Sequence, residues 1–105
     1  MAGMYCMEDL LEFVLRERAD ELHLRVEESP VMIVQGKPRA IEVPAVTADN
    51  VTELFQNVAT ANQLEELRAC GEIHFIYLFR NSARFSVTAS MQREAFDVKI
   101  RNLNR

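Results

Sequence analysis

Apolar residues recur at helical spacing near the start of the chain. Met7, Leu10, Leu11, Val14 and Leu15 share one side of a helix, and Glu8, Asp9, Glu12, Arg16 and Glu17 share the other. The acids come first and Arg16 and Arg18 last, the order the helix dipole favours, so the pattern predicts an amphipathic helix that Ala19 and Asp20 lead out of. The period then changes to two. Leu22, Leu24 and Val26 alternate with Glu21, His23, Arg25 and Glu27, as in a half-buried strand. Glu28-Ser29-Pro30 forms a turn, Val31 to Gln35 a second strand, and Gly36-Lys37-Pro38 a tight connection to a third short strand, Arg39 to Val43, ended by Pro44. Strands joined by so brief a link pair antiparallel.

Thr47 caps a helix with Val51, Leu54, Phe55 and Val58 on one face. Thr60-Ala61-Asn62-Gln63 has the capping-box pattern, in which a Thr hydroxyl and a Gln side chain each satisfy a free N–H. Leu64 and Leu67 face inward on the helix that follows, and Gly71 stops it, because glycine tolerates a left-handed C-terminal conformation. Three alternating strands close the chain. Ile73, Phe75, Tyr77 and Phe79 mark the first. Phe85, Val87, Ala89 and Met91 mark the second, and Phe96, Val98 and Ile100 the third, with turns at Asn81-Ser82 and Gln92-Arg93-Glu94. Helix, strands, helices, strands is the order of an α+β fold, with a mainly antiparallel sheet of about six strands and helices packed against it. Ile76 and Leu78 break the alternation by standing on the polar side of their strand. Either a helix covers that part of the sheet or the pair forms a subunit contact.

Composition fits this picture. The 105 residues, 49% hydrophobic and 27% charged, suit one globular domain over 1–105. The net charge of −4 argues against a nucleic-acid partner, whose affinity rests on neutralising phosphates, and more weakly against an anionic membrane surface. The charge is uneven. From Arg80 onward Arg80, Arg84, Arg93, Lys99, Arg101 and Arg105 stand against Glu94 and Asp97, a net +4, so the preceding residues carry −8. That basic third is either an anion-facing surface or a solvated strand face. No apolar run approaches the ~20 residues of a membrane span. Without a signal-peptide pattern or a disulfide framework around Cys6 and Cys70, the chain is expected in a reducing cytoplasm, with both thiols buried or at inert edge positions.

Little of the chemistry needed for catalysis is legible. Gly3, Gly36 and Gly71 are scattered and form no phosphate-cradling loop. His23 and His74 lie on different strands, and His23, flanked by Leu22 and Leu24, points away from the core as a surface or interface histidine. Adjacent acids such as Glu65-Glu66 diverge in space, and no nucleophile–base or metal set can be assembled. A small enzyme is therefore the least supported reading.

Several segments, in order, carry a resemblance. Ala19-Asp20-Glu21-Leu22-His23-Leu24 resembles the Ala-Ser-Asp-Leu-His-Leu signature of type IV pilus retraction ATPases (PilT) and related secretion ATPases. Pro30 to Gly36 resembles the Pro-initiated strand ending in Asp-Gly, and Gly71 to Phe75 the later Asp-Phe strand. Ala83-Arg84-Phe85-Ser86-Val87 through Gln92-Arg93 resembles Ala-Arg-Phe-Arg-Val-Asn with its trailing Gln, and Lys99 to Leu103 the closing Val-Phe-Arg-x-Ile-Pro. The resemblance implies a PAS-like N-terminal domain that sits on a RecA-like motor domain, helps build a hexameric ring and packs against the motor domain of a neighbouring subunit. It further implies that Arg84, Arg93 and Arg101, in the last strands and their turn, approach the nucleotide phosphates. Departures are specific. Asp20 and Glu21 replace Ser-Asp, His74 replaces Asp, Ser86 replaces the second arginine of Arg-Phe-Arg, and Asn104 replaces the closing proline. A serine lacks the forked, charged donor that guanidinium offers a phosphate. The Walker A and B elements are missing from the sequence, so ATP is expected only in the context of a full motor, and hydrolysis by this chain alone is not expected.

Two functional readings follow. One is a non-catalytic assembly or regulatory domain of a pilus (twitching motility) or type II secretion ATPase, with a homo-oligomer or motor domain as partner. The other is a stand-alone PAS-like sensing or interaction module. Sensing would need a hollow interior, which Phe75, Tyr77, Phe79, Phe85 and Phe96 could line or, equally, fill.

Overall fold

A computed structural model of the chain describes residues 6–41, 43–92 and 95–104. The first helix, α1 (Met7–Arg16), buries Met7, Leu10, Leu11 and Val14, the apolar side read from the sequence. It ends in paired backbone bonds of the Schellman type. Arg18 N–H donates to the Leu15 carbonyl at 3.2 Å and Ala19 N–H to that of Val14 at 3.0 Å, with Arg18 at φ 55°. This reversal delivers the chain into β1 (Glu21–Leu24).

β1 stops three residues short of the alternating pattern. Glu27 turns to φ 69° and donates its N–H to the Val46 carbonyl at 2.7 Å, which draws the backbone away from the sheet. β2 (Val31–Val34) and β3 (Lys37–Ala40) form a hairpin whose turn is Gln35-Gly36, at φ 52° and 79°. Two positive φ values are what a two-residue hairpin turn of this hand requires. The third strand therefore begins earlier than Arg39, and Lys37 and Pro38 belong to it rather than to the connection. Pro38 lies opposite Ile33 in a pair whose backbone groups point away from each other, the Ile33 carbonyl accepting from Asp20 N–H, so its missing N–H interrupts no ladder bond.

Helix α2 (Ala48–Val58) starts at Thr47, whose hydroxyl accepts from Asn50 N–H while the Asn50 side chain accepts from Thr47 N–H. Helix α3 (Ala61–Cys70) starts at the same device built from Thr60 and Gln63 and ends at Gly71, φ 84°. Then come β4 (Glu72–Phe79), β5 (Ala83–Gln92) and β6 (Ala95–Asn102). All pairings are antiparallel, and the spatial order is β3-β2-β1-β6-β5-β4, with the first and last strands side by side at the centre. This is the expected α+β, PAS-like arrangement.

One side of the sheet meets the helices. Leu22, Leu24, Met32, Phe85, Val87, Val98 and Ile100 join Leu11, Val14, Leu54, Phe55 and Leu67 in a continuous core. The Phe55 ring packs 6.0 Å from Phe75 and 5.9 Å from Phe96, centroid to centroid, and Phe79 lies 6.1 Å from Phe85. The aromatic set thus fills the interior. The grooves formed by the described residues lie at its surface.

Candidate functional site

Strand register determines which side chains share the other side of the sheet. Antiparallel partners project to the same face. Ile76 pairs with Ser86, Ser86 with Arg101, Arg101 with Glu21, and Glu21 with Ile33. The next row is His74, Thr88, Lys99, His23 and Val31. Leu78 pairs with Arg84, and Leu103 donates its N–H to the Arg84 carbonyl at 3.1 Å, so Leu103 continues that row. None of the described elements covers this face. Three of its apolar residues are also the exposed large hydrophobics of the described chain: Ile76 at 54%, Leu78 at 48% and Leu103 at 44%. Of the two alternatives for Ile76 and Leu78, cover by a helix is therefore overturned.

Two of the arginines singled out from the sequence come together here. Arg84 and Arg101 occupy adjacent strands on diagonal positions, a placement that sets Cα atoms about 7–8 Å apart. Both are exposed, and neither forms an ion pair among the described residues. Arg93, the third, lies outside the described residues. Arg80 is diverted elsewhere. It reaches Glu12 at 2.8 Å and Glu8 at 3.3 Å on α1, with its guanidinium 4.8 Å from the Phe79 ring centroid, and these acids raise its pKa further. Part of the basic third is thus consumed in holding α1 to the β4–β5 turn.

Beside Val31 and Ile33 the rest of the face is polar, and several of its polar side chains pair with one another. His23 Nε2 lies 2.7 Å from Glu21 Oε1, and Lys99 Nζ lies 3.8 Å from the same oxygen. The His23 hydrogen bond, with the nearby Lys99 and Arg101 charges, holds the Glu21 carboxyl below its ordinary pKa of 4.5 despite some desolvation. His74 Nε2 lies 2.7 Å from Ser86 Oγ. His23 points away from the core, as its leucine neighbours required, and is half-buried on the open face. Cys6 is half-buried and Cys70 exposed, so burial of both thiols does not hold.

Asn102 and Asn104 fix the backbone beneath Arg84. Asn104 Oδ1 accepts from Arg84 N–H at 2.8 Å, and its Nδ2 donates to the Arg84 carbonyl at 2.9 Å. Asn102 Oδ1 accepts from Asn104, and Asn102 Nδ2 donates to the Ala19 carbonyl at 2.9 Å. The carboxamide of Asn104 thereby continues the ladder past the end of β6. Sequence reasoning missed Leu103 as a surface residue. Extending the alternation of β6 by one step past Asn102 would have placed it beside Arg101.

No protein-family model matches the sequence, and no match is found among curated proteins. Solved structures do match. The pilus retraction motor PilT, crystallised with bound ADP, superimposes with a TM-score of 0.84 at 20% identity over 93% of this chain and 29% of its own. This chain has the fold of a segment of PilT. The ATPase DotB of Legionella pneumophila matches with a TM-score of 0.79 at 22% identity over 91% of this chain and 28% of its own. DotB of Yersinia pseudotuberculosis gives 0.75 at 14% identity over 90% and 29%. The chain spans less than a third of the length of these ATPases. No helix among the described residues is long and apolar enough to cross a membrane.

Proposed function

We propose that this chain is a non-catalytic assembly domain of the PilT and DotB kind, corresponding to their N-terminal domain and acting in the cytoplasm by packing its open sheet face against a RecA-like motor domain. The observation that carries this reading is the uncovered face itself. Ile76, Leu78 and Leu103 leave apolar area in water at positions where a helix could have covered it. Arg84 and Arg101 stand beside them, exposed and without an ion pair among the described residues, positioned to meet acidic groups or, in an assembled ring, a neighbour's nucleotide phosphates. Nucleotide enters only through such a partner. The sensing alternative is not favoured, because the aromatic side chains that would line a cavity pack against one another.

Calorimetric titration with the isolated motor domain of PilT tests the reading. Binding is expected for the native chain and lost on Leu78→Lys, which puts a charge among the exposed apolar side chains of the face. Combined Arg84→Ala and Arg101→Ala should weaken binding more when the motor domain holds ATP than when it is empty. Absence of binding to the motor domain, or binding indifferent to Leu78→Lys, would overturn the proposal.

A further inference from the structure

The two edges of the sheet are built differently. β3 carries Pro38 between Lys37 and Arg39, devices that discourage another strand from pairing there. β4 has none of them. Its eight residues, Glu72 to Phe79, contain no proline or lysine and pair with β5 without a bulge along their whole length. The backbone direction along β4 is fixed by one bond. Met91 N–H donates to the Gly71 carbonyl at 2.9 Å, which makes that pair a hydrogen-bonded one. Such pairs alternate, so Ile73, Phe75, Tyr77 and Phe79 turn their backbone groups to β5. Glu72, His74, Ile76 and Leu78 turn theirs outward, at the edge where Ile76 and Leu78 are also the exposed apolar side chains.

We propose that this edge pairs with the same edge of a second copy of the chain, antiparallel about a two-fold axis at Ile76, joining the two sheets into one. An axis perpendicular to the sheet keeps both open faces on one side, so residues opposed across the seam come from the same side of the strand. With the axis at Ile76, that residue meets its own counterpart and Leu78 meets His74 of the second copy. All of these are outward-bonding residues, so each opposed pair exchanges reciprocal N–H···O bonds. On the helix side the half-buried Phe75 meets the half-buried Tyr77. At the ends Glu72 falls opposite Arg80, whose guanidinium already pairs with Glu8 and Glu12 of its own chain, so the seam rests on backbone bonds and apolar contact. Arg84, Arg101 and Leu103 remain outside the seam.

Sedimentation velocity with residue-resolved amide hydrogen exchange, over a range of chain concentrations, tests this. A dimer is expected at high concentration, with exchange at His74, Ile76 and Leu78 slowing about tenfold or more as it forms. Phe75 and Tyr77, bonded to β5, should be protected throughout. Ile76→Pro removes an outward N–H that β5 does not use and should abolish the dimer. Ile76→Lys, which opposes two ammonium groups on the axis, should do the same if the proline variant fails to fold. Leu103→Lys, on the open face away from the seam, should leave the dimer intact. A monomer at millimolar concentration, a dimer whose His74, Ile76 and Leu78 amides still exchange freely, or a dimer lost on Leu103→Lys would overturn the proposal.

Discussion

Ser86 stands where the pilus-ATPase pattern carries the second arginine of Arg-Phe-Arg, and His74 where it carries aspartate. Here the two are hydrogen-bonded at 2.7 Å across neighbouring strands. An acid and an arginine form one complementary pair, and an imidazole and a hydroxyl form another, so the two departures accommodate each other on the same face. Glu21 carries a testable charge effect. Its folded-state pKa lies below its ordinary value of 4.5, first because of His23, so its interactions stabilise the fold above that pH and are lost as pH falls through the folded value. Thermal melts from neutral to acid pH should therefore show a fall in stability that is shallower in Glu21→Gln. Gly71 carries a conformational one. At φ 84° it holds a left-handed cap, and an added Cβ would meet nothing within 4 Å. The cost of Gly71→Ala is then backbone strain alone, about 1–2 kcal/mol by denaturant titration.

Elements were legible where one periodicity dominated. The helices announced themselves by apolar spacing and by Thr60-Gln63 and Gly71, β5 and β6 by alternation, and β4 by an alternation that only Ile76 and Leu78 break. The reading failed where backbone dihedrals decided the outcome. Nothing in the alternation shows Glu27 leaving the sheet at φ 69°, nor Gln35 taking the positive φ that moves the hairpin turn and draws Pro38 into β3. The Thr47 capping box also escaped notice, because its second member is Asn50 rather than Glu or Gln. Another element-scale device is the Asn102–Asn104 network, which ties β6 to β5 and to the end of α1. Asn102 is 8% exposed, so Asn102→Ala removes several bonds in a dry setting and strips a donor from the Ala19 carbonyl. Chemical unfolding should report a loss of about 1–3 kcal/mol.

At the scale of the molecule, a sheet with helices on one side and solvent on the other leaves an obvious surface for a partner. The sequence indicated half of it. Arg84, Arg101, Ile76 and Leu78 stood out by charge or by broken alternation, but only strand order reveals that they are neighbours, since β6 lies between β1 and β5. Their convergence with Leu103 turns a scattered basic third into one apolar and cationic face, while Arg80 leaves that set for the α1 acids. The central claim is that this face is the contact surface. Methyl and amide NMR of the chain, titrated with the isolated motor domain of PilT, tests it most directly. The account predicts shifts confined to the Ile76, Leu78 and Leu103 methyls and the Arg84, Ser86, Lys99 and Arg101 amides, with α2 and α3 unmoved. Shifts centred on the helices, or none at saturating motor domain, would contradict it.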